Sequence, residues 1–356
     1  MASSVPQANP VIISYNDLAS SPETLKDSIA QAFGSEPDCL GIIVVKDLPK
    51  EYPALRQRLL SLANSFAGLD EQVREKYTDP STHYSFGWSH GKEIMNGIPD
   101  VLKGSYYANP TVDHPVVSEQ ARRDHPEVYG SNIWPAADEK GVEGFEDAFK
   151  ALGGLVFDVG CKMASACQPF VSVHLRDNAI SLPTLISKSQ TLKARLLHYF
   201  PPPAASVAPA SADEDDEAID SWCGFHKDHS MLTGLCSAMY LSHGKDTNEV
   251  QVVQAPNPTS GLYIRTRGGD LRRVGIPVDC LAFQTGEALE VATSGSLRAT
   301  PHCVHVGRSP DSAVISRETF ALFMAPDTDQ ALSAEETYGQ FSKRIIESHY
   351  APGPMM

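Results

Sequence analysis

His226 and Asp228 stand two residues apart in the segment WCGFHKDHSMLTGL. In an extended backbone successive side chains alternate faces, so residues i and i+2 project together. An imidazole and a carboxylate placed in this way can meet one metal ion, while Lys227 points away and His229 faces opposite to Asp228. A third ligand must come from elsewhere, and ATPHCVHVG offers His302 and His305. Their separation is odd, so on a regular strand only one of them can look inward. By itself His-x-Asp is equally compatible with solvated side chains in a turn.

Two histidines and one carboxylate on one face of an Fe(II) ion leave positions open, an arrangement associated with non-haem iron oxygenases. Farther along, SRETFALFMAP places Arg317 and Thr319 two apart on a run otherwise rich in apolar residues. A guanidinium pointing into a protein interior needs an anionic partner, because an unpaired buried charge is very costly. Arginine plus a hydroxyl suits a carboxylate ligand; an internal salt bridge is the competing explanation.

The elements that must position these residues follow from pattern. PVIIS (10–14) reads as a short strand, Ser21-Pro22-Glu23 opens a helix that runs to Gly34, and GIIVV (41–45) reads as a buried strand. Leu55, Leu59, Leu62 and Phe66 mark a second helix, and Phe149, Leu152, Val156, Val159 and Met163 a long central one from about Phe145 to Leu175. The Tyr/Gly/His/Pro-rich segment 78–110 reads as irregular. After residue 190 short strands recur: KARLLHYF, LTGLCSAMYL, VQVVQA, GLYIRTR, DCLAFQTG, ATPHCVHV and RETFALFMAP. That regularity predicts an all-β sandwich or barrel. Residues 201–220 read as a mobile acidic insertion, and Ser333-Ala-Glu-Glu336 as a capping box opening a C-terminal helix. The expected organisation is a mixed α/β region over 1–190, a β domain over 191–330, and a helix with tail over 331–356.

Several of these motifs, taken in order, resemble the 2-oxoglutarate/Fe(II) dioxygenases, specifically the isopenicillin N synthase-like group. They are His226-x-Asp228, a distal histidine in T-P-H-x-V, Arg317-x-Thr319 before F-x-x-F-M-A-P, and the N-terminal runs PVIISYNDL, GIIVVKDLP, LDEQVREKY and KGSYYANP. The resemblance implies an α+β fold with a mainly β, jelly-roll (double-stranded β-helix) core and a helical N-terminal region. It implies His226, Asp228 and His302 as Fe(II) ligands, with Arg317 and Thr319 on the distal carboxylate of 2-oxoglutarate. The family commonly has Ser at the position of Thr319, and the hydroxyl is retained. Many members carry Asn-x-Tyr before a Pro-Pro pair, whereas RLLHYFPPP places His198 and Phe200 there. A slip of one residue brings in Tyr199, so His198 and Tyr199 are both candidates for the co-substrate site. The implied chemistry consumes 2-oxoglutarate and O2 and oxidises a small organic molecule. An iron oxidase independent of 2-oxoglutarate and a non-catalytic jelly-roll binding protein are the alternatives.

Candidates for contact with the substrate are Tyr84, Phe86, Trp88, Tyr106, Tyr107 and Phe225. Composition narrows the partners. With 356 residues, 42% hydrophobic and 21% charged, the chain reads as an ordinary soluble globular protein. A formal net charge of -15 disfavours nucleic acid, whose affinity rests on Lys and Arg neutralising phosphates. No apolar run is long enough to span a bilayer, and the N-terminus lacks a targeting pattern. Seven scattered cysteines without a CxxC pair indicate neither a disulfide framework nor a structural zinc site, which fits the reducing cytoplasm. Oligomeric state is left open.

Overall fold

The computed structural model describes residues 5–92, 94–95, 98–201, 223–244, 250–255, 259–305 and 314–350. The expected acidic insertion, from residue 202 onward, and residues 306–313 between His302 and Arg317 lie outside the described residues. Two β-sheets enclose the interior of a jelly roll. The larger runs in the order Val11–Ser14, Ile42–Lys46, Leu281–Thr285, Leu232–Cys236, Val314–Met324, Lys193–Tyr199, Lys103–Ala108 and Gly87–His90. The smaller runs in the order Gln7–Ala8, Leu271–Val274, Gly261–Arg265, His302–His305 and Cys223–His226.

Strand alternation decides what each sheet face carries. Along Val314–Met324 the odd residues Arg317, Thr319, Ala321 and Phe323 line an internal cavity. The even residues Phe320, Leu322 and Met324 are buried in the core on the other face. There they meet the helix Phe145–Cys167, whose Phe149, Leu152, Val156, Val159 and Met163 are all buried, and the rings of Phe149 and Phe320 lie 5.4 Å apart edge to face. The helix can approach this closely because Gly160 has no side chain; a Cβ there would overlap Met324 Sδ. The helix therefore serves as a stiff backing for the strand that carries Arg317.

The structure corrects three expectations. The long helix ends at Cys167 rather than near Leu175, because the turn Gln168–Phe170, containing Pro169, separates it from the short helix Val173–Asp177. Residues 78–110 are not wholly irregular, because Gly87–His90 and Lys103–Ala108 add two antiparallel strands to the larger sheet, with Gly104 opposite His198. Their aromatic residues favour strands, but the glycines concealed the period. Gly104 is required here because any Cβ would run into the Trp88 indole. The C-terminal helix opens later than Ser333. Ser333 Oγ accepts from the backbone N–H groups of Glu335 and Glu336 in a turn. The helix Tyr338–Tyr350 starts after Thr337, whose Oγ accepts from Gln340 N (3.3 Å) while Gln340 Oε1 accepts from Thr337 N (2.9 Å). That reciprocal pair is the true capping box. No helix among the described residues is long and apolar enough to cross a membrane.

Candidate metal and co-substrate site

Cys223–His226 pairs antiparallel with His302–His305 so that His226 lies opposite His302, and the two rings are 4.3 Å apart. Asp228 follows just beyond the first strand. Thr233 Oγ1 donates to Asp228 Oδ2 at 2.6 Å and is itself backed by Ser230 Oγ at 3.0 Å. Asp228 Oδ1 then lies 3.7 Å from His226 Nε2 and 3.8 Å from His302 Nε2. The three donor atoms all lie within 4.8 Å of one another. His302 Nδ1 sits 3.0 Å from the Thr300 carbonyl, which can only accept, so the proton is on Nδ1 and the Nε2 lone pair is left for a ligand. Burial, followed by the repulsion of His226, holds the pKa of His302 below the ordinary histidine value and favours its neutral, ligating form. This donor set fits a divalent transition metal with open coordination positions, of which Fe(II) is the characteristic example.

Neighbouring residues are placed apart from the cluster. His229 Nδ1 lies 3.1 Å from Glu287 Oε2, and Lys227 Nζ lies 3.9 Å from Glu287 Oε1. His305 is buried on the opposite face of its strand, its ring 5.7 Å from that of Tyr263.

Behind the metal cluster a cavity of about 300 Å³ runs between the two sheets. At its far end Arg317 and Tyr199 are cross-strand partners, the guanidinium carbon 4.9 Å from the ring centroid, and Tyr240 stands opposite Arg317 on the other side. Thr319 lines the same cavity and donates to the Cys236 carbonyl at 3.3 Å. Leu197, Leu235, Leu262, Val304 and Ala321 supply apolar walls. His198, expected as a candidate for this site, does not reach it. Alternation turns its side chain to the other face of the strand, where Nδ1 lies 3.0 Å from both oxygens of the fully buried Glu318.

A wider mouth of about 610 Å³ opens on the other side of His226 and Asp228, lined among others by Phe225, Lys193, Arg195, Phe323 and Tyr338. Of the aromatic residues expected to touch substrate, only Phe225 lines this mouth. Trp88 and Tyr106 belong to the core, their rings 5.2 Å and 5.0 Å from Phe66, and Tyr84 lies against Lys92. Phe86 and Tyr107 lie one layer back, beneath Lys193 (3.4 Å) and Arg195 (5.0 Å). Sequence reasoning missed Lys193 and Arg195, although KARLLHYF alternates Lys193, Arg195, Leu197 and Tyr199 on one face. Lys193 Nζ donates to the carbonyls of Ser85 and Glu127, and burial pulls its pKa down to about 7.

No protein-family model matches the chain. In sequence it is 22% identical, over 284 residues, to a "Probable iron/ascorbate oxidoreductase" of Dictyostelium discoideum, covering 77% of this chain and 69% of that protein. In structure it is similar to a Caulobacter crescentus protein assigned to the 2OG-Fe(II) oxygenase family, with TM-score 0.66 and 18% identity over 96% of this chain and 100% of the other. A full-length Neurospora crassa protein in complex with alpha-KG and thymine aligns with TM-score 0.60 and 17% identity, over 96% and 97% of the two chains. The Arabidopsis thaliana dioxygenase for auxin oxidation 1, bound to 2-oxoglutarate, aligns with TM-score 0.57 and 14% identity, over 91% and 96%. The chain is thus related in sequence to an iron/ascorbate oxidoreductase and has the fold of the 2-oxoglutarate/Fe(II) oxygenases.

Proposed function

We propose that the chain is an Fe(II)- and 2-oxoglutarate-dependent oxygenase that hydroxylates a small organic molecule, with release of succinate and CO2. The observation that carries this reading is the convergence of His226 Nε2, Asp228 Oδ1 and His302 Nε2 within 4.8 Å, at one end of a cavity whose other end holds Arg317. Bound Fe(II), 2-oxoglutarate and O2 would together supply an oxidant strong enough for an unactivated C–H bond.

The chain's own contribution is placement and exclusion of water. His226, Asp228 and His302 would hold the metal. Arg317 takes the distal carboxylate of the co-substrate, as a planar guanidinium does well, and the Thr319 hydroxyl joins it by turning its one proton from the Cys236 carbonyl to that carboxylate. Leu197, Leu235, Leu262, Val304 and Ala321 keep the interior dry around the reacting centre. The substrate enters the mouth beside Phe225, whose volume of about 610 Å³ is the size of a small-molecule site.

The test is anaerobic Fe(II) titration followed by an aerobic metabolite screen for 2-oxoglutarate turnover, comparing wild type with His226→Ala. One iron per chain and substrate-stimulated succinate are expected, both lost in the variant. Iron binding and turnover that survive His226→Ala would overturn the assignment, as would an iron-loaded protein that forms no succinate with any compound.

A further inference from the structure

Gln284 lies on Leu281–Thr285, the strand between Ile42–Lys46 and Leu232–Cys236. Alternation sends Phe283 into the hydrophobic core and Gln284 into the cavity behind the metal cluster. It is 0% exposed, and neither its amide oxygen nor its amide nitrogen has a hydrogen-bond partner among the described residues. Leaving a buried amide unsatisfied is expensive, and native proteins seldom do so without a reason tied to a ligand, a water or strain.

Position identifies the ligand. Gln284 is the direct cross-strand partner of Thr233, whose hydroxyl holds Asp228 Oδ2. Side chains so opposed sit about 5 Å apart at Cβ, so the amide stands at the metal end of the cavity. Arg317 and Tyr199 stand at the far end, six residues along Val314–Met324 from Phe323, the other cross-strand neighbour of Thr233. Between the two ends Leu197, Leu235 and Ala321 line the cavity, with Arg195 across from Ala321. Polar groups at both ends and methyl-rich walls between them match a molecule with two acidic ends joined by methylenes.

We propose that Gln284 is a co-substrate-binding residue whose amide N–H groups donate to the carboxylate of the 2-oxo acid at the metal end, the one Arg317 does not reach. This rests on the 2-oxoglutarate-dependent reading above. It assigns the two carboxylates to two separate sets of protein donors.

Two variants of similar volume, Gln284→Met and Gln284→Leu, test it in the Fe(II)-loaded, anaerobic protein by calorimetric titration with 2-oxoglutarate and with oxalate. Oxalate keeps the metal-chelating end and lacks the distal arm. Losing a hydrogen bond to a charged group should weaken both ligands about 10- to 100-fold. Arg317→Met, run alongside, should weaken 2-oxoglutarate alone. The melting temperature of the metal-free variants should be unchanged or higher, because an unsatisfied amide has been removed. Unaltered affinity for both ligands overturns the proposal, and a lowered melting temperature with unaltered affinity shows a structural amide instead. Wild type that binds oxalate but not 2-oxoglutarate defeats the functional reading while oxalate still judges Gln284; binding of neither defeats both.

Discussion

Tyr199 and Arg317 face each other directly across two antiparallel strands, with the guanidinium carbon 4.9 Å from the centre of the ring. The ring supports the cation in a buried position. An arginine so placed is not replaceable by lysine, whose point charge does not bind a carboxylate in two places. Arg317→Lys should therefore weaken 2-oxoglutarate binding at least tenfold while Fe(II) affinity stays near wild type, as read by paired calorimetric titrations. Tyr199→Leu, which removes a cation–π contact of about 0.5–2 kcal/mol, should do the same more mildly. Equal loss of iron binding in either variant would place these residues elsewhere in the mechanism.

Thr233 would act on a bound metal through Asp228, whose Oδ2 it holds so that Oδ1 faces the two imidazoles. Outer-shell contacts of this kind are commonly worth 10- to 100-fold in metal affinity. Thr233→Val keeps the shape and loses the hydroxyl, so Fe(II) or Co(II) affinity should fall by about that factor. Thr233→Ser should restore it. A valine variant with unchanged metal affinity would reduce the 2.6 Å contact to packing.

Glu318 is fully buried, accepting from Ser316 Oγ at 2.7 Å and paired with His198 at 3.0 Å. Removing His198 takes a hydrogen-bond partner from a fully buried carboxyl group, at a cost of about 1–3 kcal/mol. His198→Leu should lower unfolding stability by that order in denaturant titrations. The double variant His198→Leu/Glu318→Leu should recover most of it, because the buried carboxyl is removed with its partner. If His198→Leu instead proved as stable as wild type with weakened 2-oxoglutarate binding, the histidine would belong to the co-substrate site after all.

Lys193 sets a pH dependence. Its folded pKa lies at about 7, pulled down by burial from the usual 10.5, with the charge of Glu127 opposing. Between these values the unfolded chain carries the proton and the folded chain does not, so stability rises with pH across that window. The contribution is complete above about 10.5 and is lost as pH falls to about 7. Denaturation at a series of pH values should show a steeper rise from pH 7 to 10 in wild type than in Lys193→Met. Parallel curves would mean that Lys193 stays charged in the fold.

What could be read from sequence was whatever depends on neighbours along the chain. His226 ends its strand and Asp228 follows two residues on, close enough for both to meet one ion, and the odd spacing of His302 and His305 along their strand sends them to opposite faces. The strands after residue 190 were legible for that reason too. What escaped depends on which strand lies beside which. Gln284 looks like one polar residue in DCLAFQTG until Thr233 is placed opposite it. Likewise, Ser333-x-x-Glu336 and Thr337-x-x-Gln340 are rival capping boxes four residues apart. The bridge between Ala331 and Thr337, which folds the first back on itself, decides between them.

That late start of the last helix has a further consequence. It places Tyr338, held by its N–H on the Gln330 carbonyl, in the wall of the mouth, which Val128 also lines. The paired strands of the jelly roll, which carry His226 and His302, also supply part of this mouth, through Phe225, Lys193, Arg195 and Phe323, whereas Tyr338 and Val128 come from two segments far apart in the chain and outside those strands. On the proposed reading, exchanging the helix or the segment around Val128 should change what the mouth admits while leaving His226, Asp228 and His302 in place. Selectivity and reactivity would then be separable traits, open to change by a lineage or an engineer one at a time.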